Sequence, residues 1–218
     1  VHNNSVAYLR FIQHLLTNAD EIRFDDERER VFGTMFYYTL YLDKISKTGV
    51  RSIEEALRNF KKYTPFVDEV KELTAYLLSN IKASPIGEDL PQALEQYGCY
   101  TREEIFTIFG RQTAEKRMQG SVSGVFNIEE RNTELLFVTL NKSDKDFSVS
   151  TMYDDYVVSE RQFHWKSKNT DTHEGRGKRY VEQAINKKKF LLFVRADKTD
   201  GFNNTCPFYC FGLVDYIS

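Results

Sequence analysis

Cysteine is scarce in this sequence: Cys99, Cys206 and Cys210 are the three in 218 residues, and they form no even set of the kind a disulfide framework needs. A reducing cytoplasm is therefore the expected location. Cys206 and Cys210 share the stretch "CPFYC", but no second Cys/His pair lies nearby, so the ligand count falls short of a zinc site and buried thiols are expected. Long apolar runs are missing as well. No stretch approaches the ~20 residues that cross a bilayer, and the opening "VHNNSVAYLRF" lacks the basic flank and small-residue cleavage site of a signal peptide. An excess of one charge is also absent, with 30 basic against 32 acidic residues, which excludes a uniformly positive surface but leaves room for local patches.

Several reaction signatures are missing too. There is no "GxxxxGK[ST]" phosphate loop, no Gly-x-Ser-x-Gly elbow and no paired His-Lys nuclease signature of the phospholipase-D type. The "GRG" at 175–177 is too short for a phosphate-binding fingerprint. The adjacent acids Asp154 and Asp155 lack the further acids expected around a nuclease metal. This chain alone is therefore expected to be no enzyme, with no metal and no cofactor of its own.

What the sequence does have is apolar and aromatic bulk, 41% and 14% of residues, enough to build a core. The first half reads as helical. Ser5 can cap a helix through "VAYLRFIQHLLTN", with Val6, Leu9, Ile12 and Leu16 at the spacing of a buried face. A second helix starts at Asp25 or Asp26, and Ser52 with Glu55 forms a capping box for a third. Pro65 interrupts. "FVDEVKELTAYLLSNI" then resumes the period, placing Phe66, Val70, Leu73, Leu77 and Ile81 on one face. A boundary falls near "QYGCYTREEIF", where Thr101 and Glu104 make a second capping box and Gly110 a C-terminal stop.

Beyond it the pattern changes to six β-type runs: "GSVSGVFNIEE", "TELLFVTLN", "FSVSTMYDDYVVS", "QFHWKS", "KFLLFVRADK" and "PFYCFGLVDYIS". One helix, "GKRYVEQAINKK", interrupts them. The class expected is α+β, a helical bundle followed by a curved sheet or barrel with one or two helices. Since the chain opens on Val1 and closes inside what reads as a strand, it is expected to be part of a longer polypeptide.

The stretch "MYDDYVVSERQFHWKSKNT" sets Tyr153, Tyr156, Phe163, His164 and Trp165 among Asp154, Asp155, Lys166 and Lys168. Core packing explains rings on one face of a strand but not the interleaved acids and lysines. A cage for a flat polar ring uses both. Around it, residues 161 to 189 carry nine basic side chains against three acidic ones, a local surplus suited to phosphates.

The set "YTREEIFTIFG", "ELLFVTLNKSDKDFSVSTMYDDYVVSERQFHWKS", "GKRYVEQ", "FLLFVRADK" and "FGLVDYIS" resembles the C-terminal region of SauUSI-type ATP-dependent type IV restriction endonucleases. Members of that family join a phospholipase-D-like nuclease, a superfamily 2 helicase motor and a terminal SRA-like (PUA-like) domain. The resemblance implies that residues 1–98 form a helical linker and 99–218 a domain that reads 5-methylcytosine or 5-hydroxymethylcytosine in duplex DNA by flipping the base. It also implies ATP and Mg for the whole polypeptide, and helicase and nuclease domains as partners of this region.

A flipped cytosine needs stacking faces, an acceptor for its exocyclic amine, donors for its carbonyl and a small apolar hollow. Tyr153, Tyr156 and Trp165 are the candidate faces, and Asp154 or Asp155 the acceptor. Strand alternation puts Tyr153 and Asp155 on one face and Asp154 and Tyr156 on the other, which favours Tyr153 with Asp155. His164 and Ser167 can donate to the carbonyl or to a flanking phosphate. Lys166, Lys168, Arg176, Lys178 and Arg179 are candidates for the backbone and groove, with Arg176 on the loop that enters it. The rival expectation is a protein-docking or oligomerisation module whose aromatics form an interface without base specificity.

Overall fold

The computed structural model describes residues 5–18, 22–81, 84–87, 90–118, 124–142, 155–166, 175 and 177–217. They fall into two compact units, Val1–Gly120 and Ser121–Ser218. The class is α+β, with helices first and a mixed sheet after them.

Unit 1 contains α1 (Val6–Thr17), α2 (Glu27–Tyr41), α3 (Ile53–Lys61), α4 (Thr64–Asn80) and α5 (Arg102–Ile108). Two-residue strands β1 (Ser84–Pro85), β2 (Glu95–Gln96) and β3 (Cys99–Tyr100) lie between the last two helices. Ser5 caps α1 by accepting the Tyr8 amide. Two further amides of that first turn, Val6 and Ala7, donate to the Glu95 carboxylate at 2.7 and 3.1 Å. A buried acid from 88 residues downstream thus satisfies donors that a helix start leaves open, at the end where the helix dipole favours negative charge.

Caps elsewhere follow the same chemistry. Asp26 accepts the Glu29 amide at the start of α2. At α3, Ser52 accepts from the Glu55 amide, but the Glu55 carboxylate takes the Arg51 amide in place of Ser52's own, so the expected box is shifted by one residue. The box at α5 is complete, with Thr101 Oγ1 accepting from Glu104 and Glu104 Oε2 accepting from Thr101. Gly110 follows at φ +68°, the left-handed backbone that ends a helix at least cost in glycine.

The core of unit 1 joins Tyr8, Leu9, Ile12 and Leu16 of α1 to Phe32, Phe36 and Tyr37 of α2 and Ala56 and Leu57 of α3. Helix α4 presents a different face from the one its spacing implied. Val67 and Thr74 are buried, while Phe66 stands 67% exposed and Leu73 also faces outward. Thr74 can occupy the interior because its hydroxyl donates to the Val70 carbonyl, leaving a methyl for packing.

Unit 2 contains β4 (Val125–Ile128), β5 (Thr133–Thr139), β6 (Tyr156–Ser159), β7 (Gln162–His164), β8 (Lys189–Arg195) and β9 (Phe208–Val214). Two four-residue helices, α6 (Lys178–Val181) and α7 (Gln183–Asn186), stand where one helix was expected, divided at Glu182. In the sheet, β9, β8, β5 and β4 are consecutive neighbours. β5 and β8 run parallel, and the other two pairings are antiparallel. All seven residues of β5 and six of seven in β8 are buried, the double-sided burial that a parallel central pair produces. Among the described residues the sheet does not close into a barrel. Strands β6 and β7 form a separate antiparallel hairpin with a bulge between Val157 and Ser159.

Candidate nucleic-acid interface

The parallel strands β5 and β8 end side by side, Thr139 opposite Arg195, and their pairing continues outward as Leu140 and Asn141 donate to the Arg195 and Ala196 carbonyls. Two consecutive side chains at this strand end reach separate segments. Asn141 Nδ2 donates to Asp197 Oδ1 at 3.1 Å, holding the start of the loop that leads to β9. Lys142 Nζ lies 2.6 Å from Asp155 Oδ2, in an ion pair whose side chains are 9% and 5% exposed. The other Asp155 oxygen accepts the Lys166 backbone amide at 2.9 Å. Asp155 therefore ties the entry of the hairpin, its exit and the end of β5 into one knot.

From this knot the hairpin sorts its side chains by alternation. Phe163 and Trp165 face inward, against the cluster of Leu136, Val138, Tyr180, Phe190, Leu192 and Val194. The Trp165 ring meets Tyr180 edge to face at 5.0 Å, a favoured aromatic arrangement. Tyr156 and His164 are cross-strand partners on the outer side, their rings stacked at 4.7 Å with 21° between planes, and both are exposed. The nominated pocket residues thus form two groups on opposite faces: Asp155 and Trp165 inward, Tyr156 and His164 outward. Tyr153 and Ser167 lie outside the described residues.

Of the basic candidates, Lys166 is exposed beside the hairpin, and Lys178 is exposed with Glu182 at 3.4 Å. Arg179 is engaged within the protein. Its Nε lies 2.9 Å from Oε1 of Glu134, its guanidinium stacks on Tyr180 at 4.8 Å, and Nη2 donates to the Tyr180 hydroxyl. Glu134 sits on β5 with its side chain 2% exposed. Lys188 supplies it with a second cation at 3.4 Å and donates to Asn127. Lys168 and Arg176 lie outside the described residues. Cys210 is buried, and desolvation pushes its thiol up to about 12, so it is an inert core thiol.

Sequence reasoning passed over Lys142, Glu134 and Phe202. Lys142 resembles its neighbours in a polar segment and carried no signal. Glu134 stood out only as an acid opening a strand otherwise rich in apolar residues. Phe202 was legible as an aromatic set inside the turn-forming run "DGFNNT". A hollow of about 290 Å³ exists in unit 1, bordered by Arg10, Phe11, His14, Arg28 and Phe32, and none of the nominated pocket residues borders it. Among the described residues no group of three His, Cys, Asp or Glu side chains converges as metal ligands would, and no helix is long and apolar enough to cross a membrane.

Fold and surface together define an α+β protein with a helical unit and a mixed-sheet unit that presents an aromatic hairpin. Residues 94–218, more than half of the chain, match the family described as "Domain of unknown function (DUF3427)", and the chain belongs to that family. The match begins within unit 1 and runs through all of unit 2. No curated protein and no solved structure matches the chain.

Proposed function

We propose that this chain is the DNA-recognition region of an ATP-dependent type IV restriction endonuclease, binding duplex DNA that carries 5-methylcytosine or 5-hydroxymethylcytosine by flipping the modified base. The observation that carries the reading is the outward Tyr156–His164 stack, on a hairpin whose opposite face is anchored in the core. Two parallel rings in solvent offer a free face on which a base can continue the stack, and one base–aromatic contact is worth ~1–3 kcal/mol. Flanking cations such as Lys166 and Lys178 supply phosphate contacts, and the surplus of basic residues from 161 to 189 is consistent with that role. On this reading ATP, Mg, strand cleavage and translocation belong to helicase and nuclease domains of the same polypeptide. This region alone catalyses nothing and works in the cytoplasm.

The test is binding of the chain to two duplexes that differ in a single cytosine methyl, titrated at several stated salt concentrations. Tighter binding to the modified duplex supports the proposal, and equal binding to both removes its base specificity. A docking module is the second reading, favoured by the outward apolar row Tyr209, Phe211 and Leu213 on β9. It requires that the chain bind neither duplex while self-associating or capturing a helicase domain.

A further inference from the structure

The loop between β8 and β9 carries Phe202 at its tip with 89% of the residue exposed, the most exposed large apolar side chain among the described residues. An exposed phenylalanine in a mobile loop needs no explanation, because the loop can fold it away part of the time. This loop is held open. Asp200 Oδ1 accepts the amides of both Phe202 and Asn204 at 2.8 Å, and Oδ2 accepts the Asn204 side-chain amide at 3.0 Å. Backbone bonds from Asp200 to Asn204, from Asn203 to Asp200 and from Cys206 to Lys198 close the turn, and Thr199 bridges Thr205. Asn203 takes the left-handed conformation at φ 65°, which fixes the direction of the chain just after the ring. The ordering entropy of this tip is therefore met within the loop, so a partner that touches Phe202 does not have to supply it.

The base of the loop is tied to the strand end that also anchors the hairpin. Asn141 holds Asp197 and the adjacent Lys142 holds Asp155, so two exposed aromatic features, the Tyr156–His164 stack and Phe202, spring from the carboxyl ends of the parallel pair β5 and β8. The Asp200 carboxylate keeps its negative charge but is turned onto the loop's own amides, and the residues directly flanking the ring, Gly201 and Asn203, are uncharged.

We infer that Phe202 is a second aromatic contact for the nucleic acid, its ring stacking on a nucleobase while the hairpin engages the same strand. The inference rests on the nucleic-acid reading above, and it names a loop that neither the basic surplus nor the hairpin would have nominated. Rigid apolar side chains on preset loops are the kind that enter a base stack, and a ring does so through its π-face more than through its bulk.

The experiment measures binding of the whole chain and of its Phe202→Ala, Phe202→Leu and Phe202→Trp variants to the modified and unmodified duplexes. A 2-aminopurine beside the target cytosine reports unstacking. Phe202→Ala is expected to weaken binding to the modified duplex about ten-fold or more and to reduce the 2-aminopurine rise. Phe202→Trp should bind as tightly as the parent, and Phe202→Leu should fall well short of it. Equal affinity of Phe202→Ala and the parent overturns the inference while leaving the hairpin reading intact, and Phe202→Leu matching Phe202→Trp overturns the stacking role. A parent chain that binds both duplexes equally refutes modified-base specificity but not Phe202, which is then judged on the alanine variant alone. A parent that binds neither duplex overturns both readings together.

Discussion

Lys142 Nζ and Asp155 Oδ2 meet at 2.6 Å beneath the hairpin, in a place where each side chain keeps less than a tenth of its surface in water. Removing one partner strands the other charge in a poorly solvated site, which costs about 3–5 kcal/mol in comparable buried pairs, whereas replacing both with apolar residues of similar size is far milder. Asp155→Leu and Lys142→Met are therefore each expected to destabilise the chain strongly, and the double variant to recover most of the loss. Urea unfolding followed by the emission of Trp165, the sole tryptophan, measures all three. Additive losses in the double variant would show that the pair is not coupled.

The two faces of the hairpin should separate in mutagenesis. Tyr156→Ala and His164→Ala remove exposed rings and are expected to change stability by less than about 0.5 kcal/mol, while each weakens DNA binding by about 1–3 kcal/mol. Trp165→Ala opens a gap against Tyr180 and the cluster behind it, so its first effect is on folding, with a loss of about 2 kcal/mol for a half-buried ring. Circular dichroism melts beside binding titrations distinguish the cases. A Trp165→Ala variant with parental stability would show that the ring is not a wall of the core.

Arg179 and Lys178 are neighbours with opposite expected phenotypes. Arg179→Ala leaves Glu134, with its side chain 2% exposed, to Lys188 alone, and a destabilisation of about 2–3 kcal/mol follows from a buried carboxylate losing a charged partner. Lys178→Ala loses only an exposed pair with Glu182, so folding is unaffected. Affinity for modified and unmodified duplexes should then fall alike, with the salt slope shallower by about one. Denaturant curves and salt titrations of both variants decide it.

The elements were legible in the sequence wherever the signal was local. Ser5, Ser52 and Thr101 each marked a helix start, and Asp26 is the one of the two candidates, Asp25 and Asp26, that caps α2, because a short polar side chain next to orphan amides acts within one turn. The β-rich runs of unit 2 were legible through β-branched and aromatic content; of the two thiols of "CPFYC" expected to be buried, Cys210 is buried and Cys206 is only partly so. Long-range relationships were not. No spacing rule links Lys142 to Asp155 or Glu134 to Lys188, and the rotation of α4 depends on what packs against Val67 and Thr74. The site was half legible for the same reason. Alternation put Asp155 and Tyr156 on opposite faces, but which face meets the core is fixed by Tyr180 and Phe190, far along the chain.

Glu95 is the clearest case of a residue whose role appears only in three dimensions. Its carboxylate accepts two amides of α1, and its own amide donates to the hydroxyl of the fully buried Tyr100. Glu95→Ala leaves two donors open at a helix start, and a loss of about 2–4 kcal/mol is expected at one to two per orphaned group. Glu95→Gln keeps one acceptor oxygen and should lose about half as much. Hydrogen exchange gives a local check, because the amides of Val6 and Ala7 should lose protection before those of α2 do.

The Phe202 loop should depend on acid in a defined direction. The Asp200 carboxyl is held below the usual carboxylate range, first by the Asn204 side-chain amide and then by the Asn204 and Phe202 backbone amides. A depressed value in the folded chain means that the bonds favour the ionised form. Their contribution is complete above the unfolded-state value of about 3.9 and disappears as pH falls through the lower, folded value. At neutral pH the loop is therefore fully formed, and mild acid down to about pH 5 leaves it so. A carbon-detected NMR titration of Asp200 should give a midpoint below that of a model aspartate, and Asn204→Ala should move it upward. Loosening the loop in this way at constant pH should also weaken DNA binding, since the ring of Phe202 would then be ordered at the partner's expense. An Asn204→Ala chain with a raised Asp200 midpoint but parental affinity would separate the rigidity of the turn from recognition.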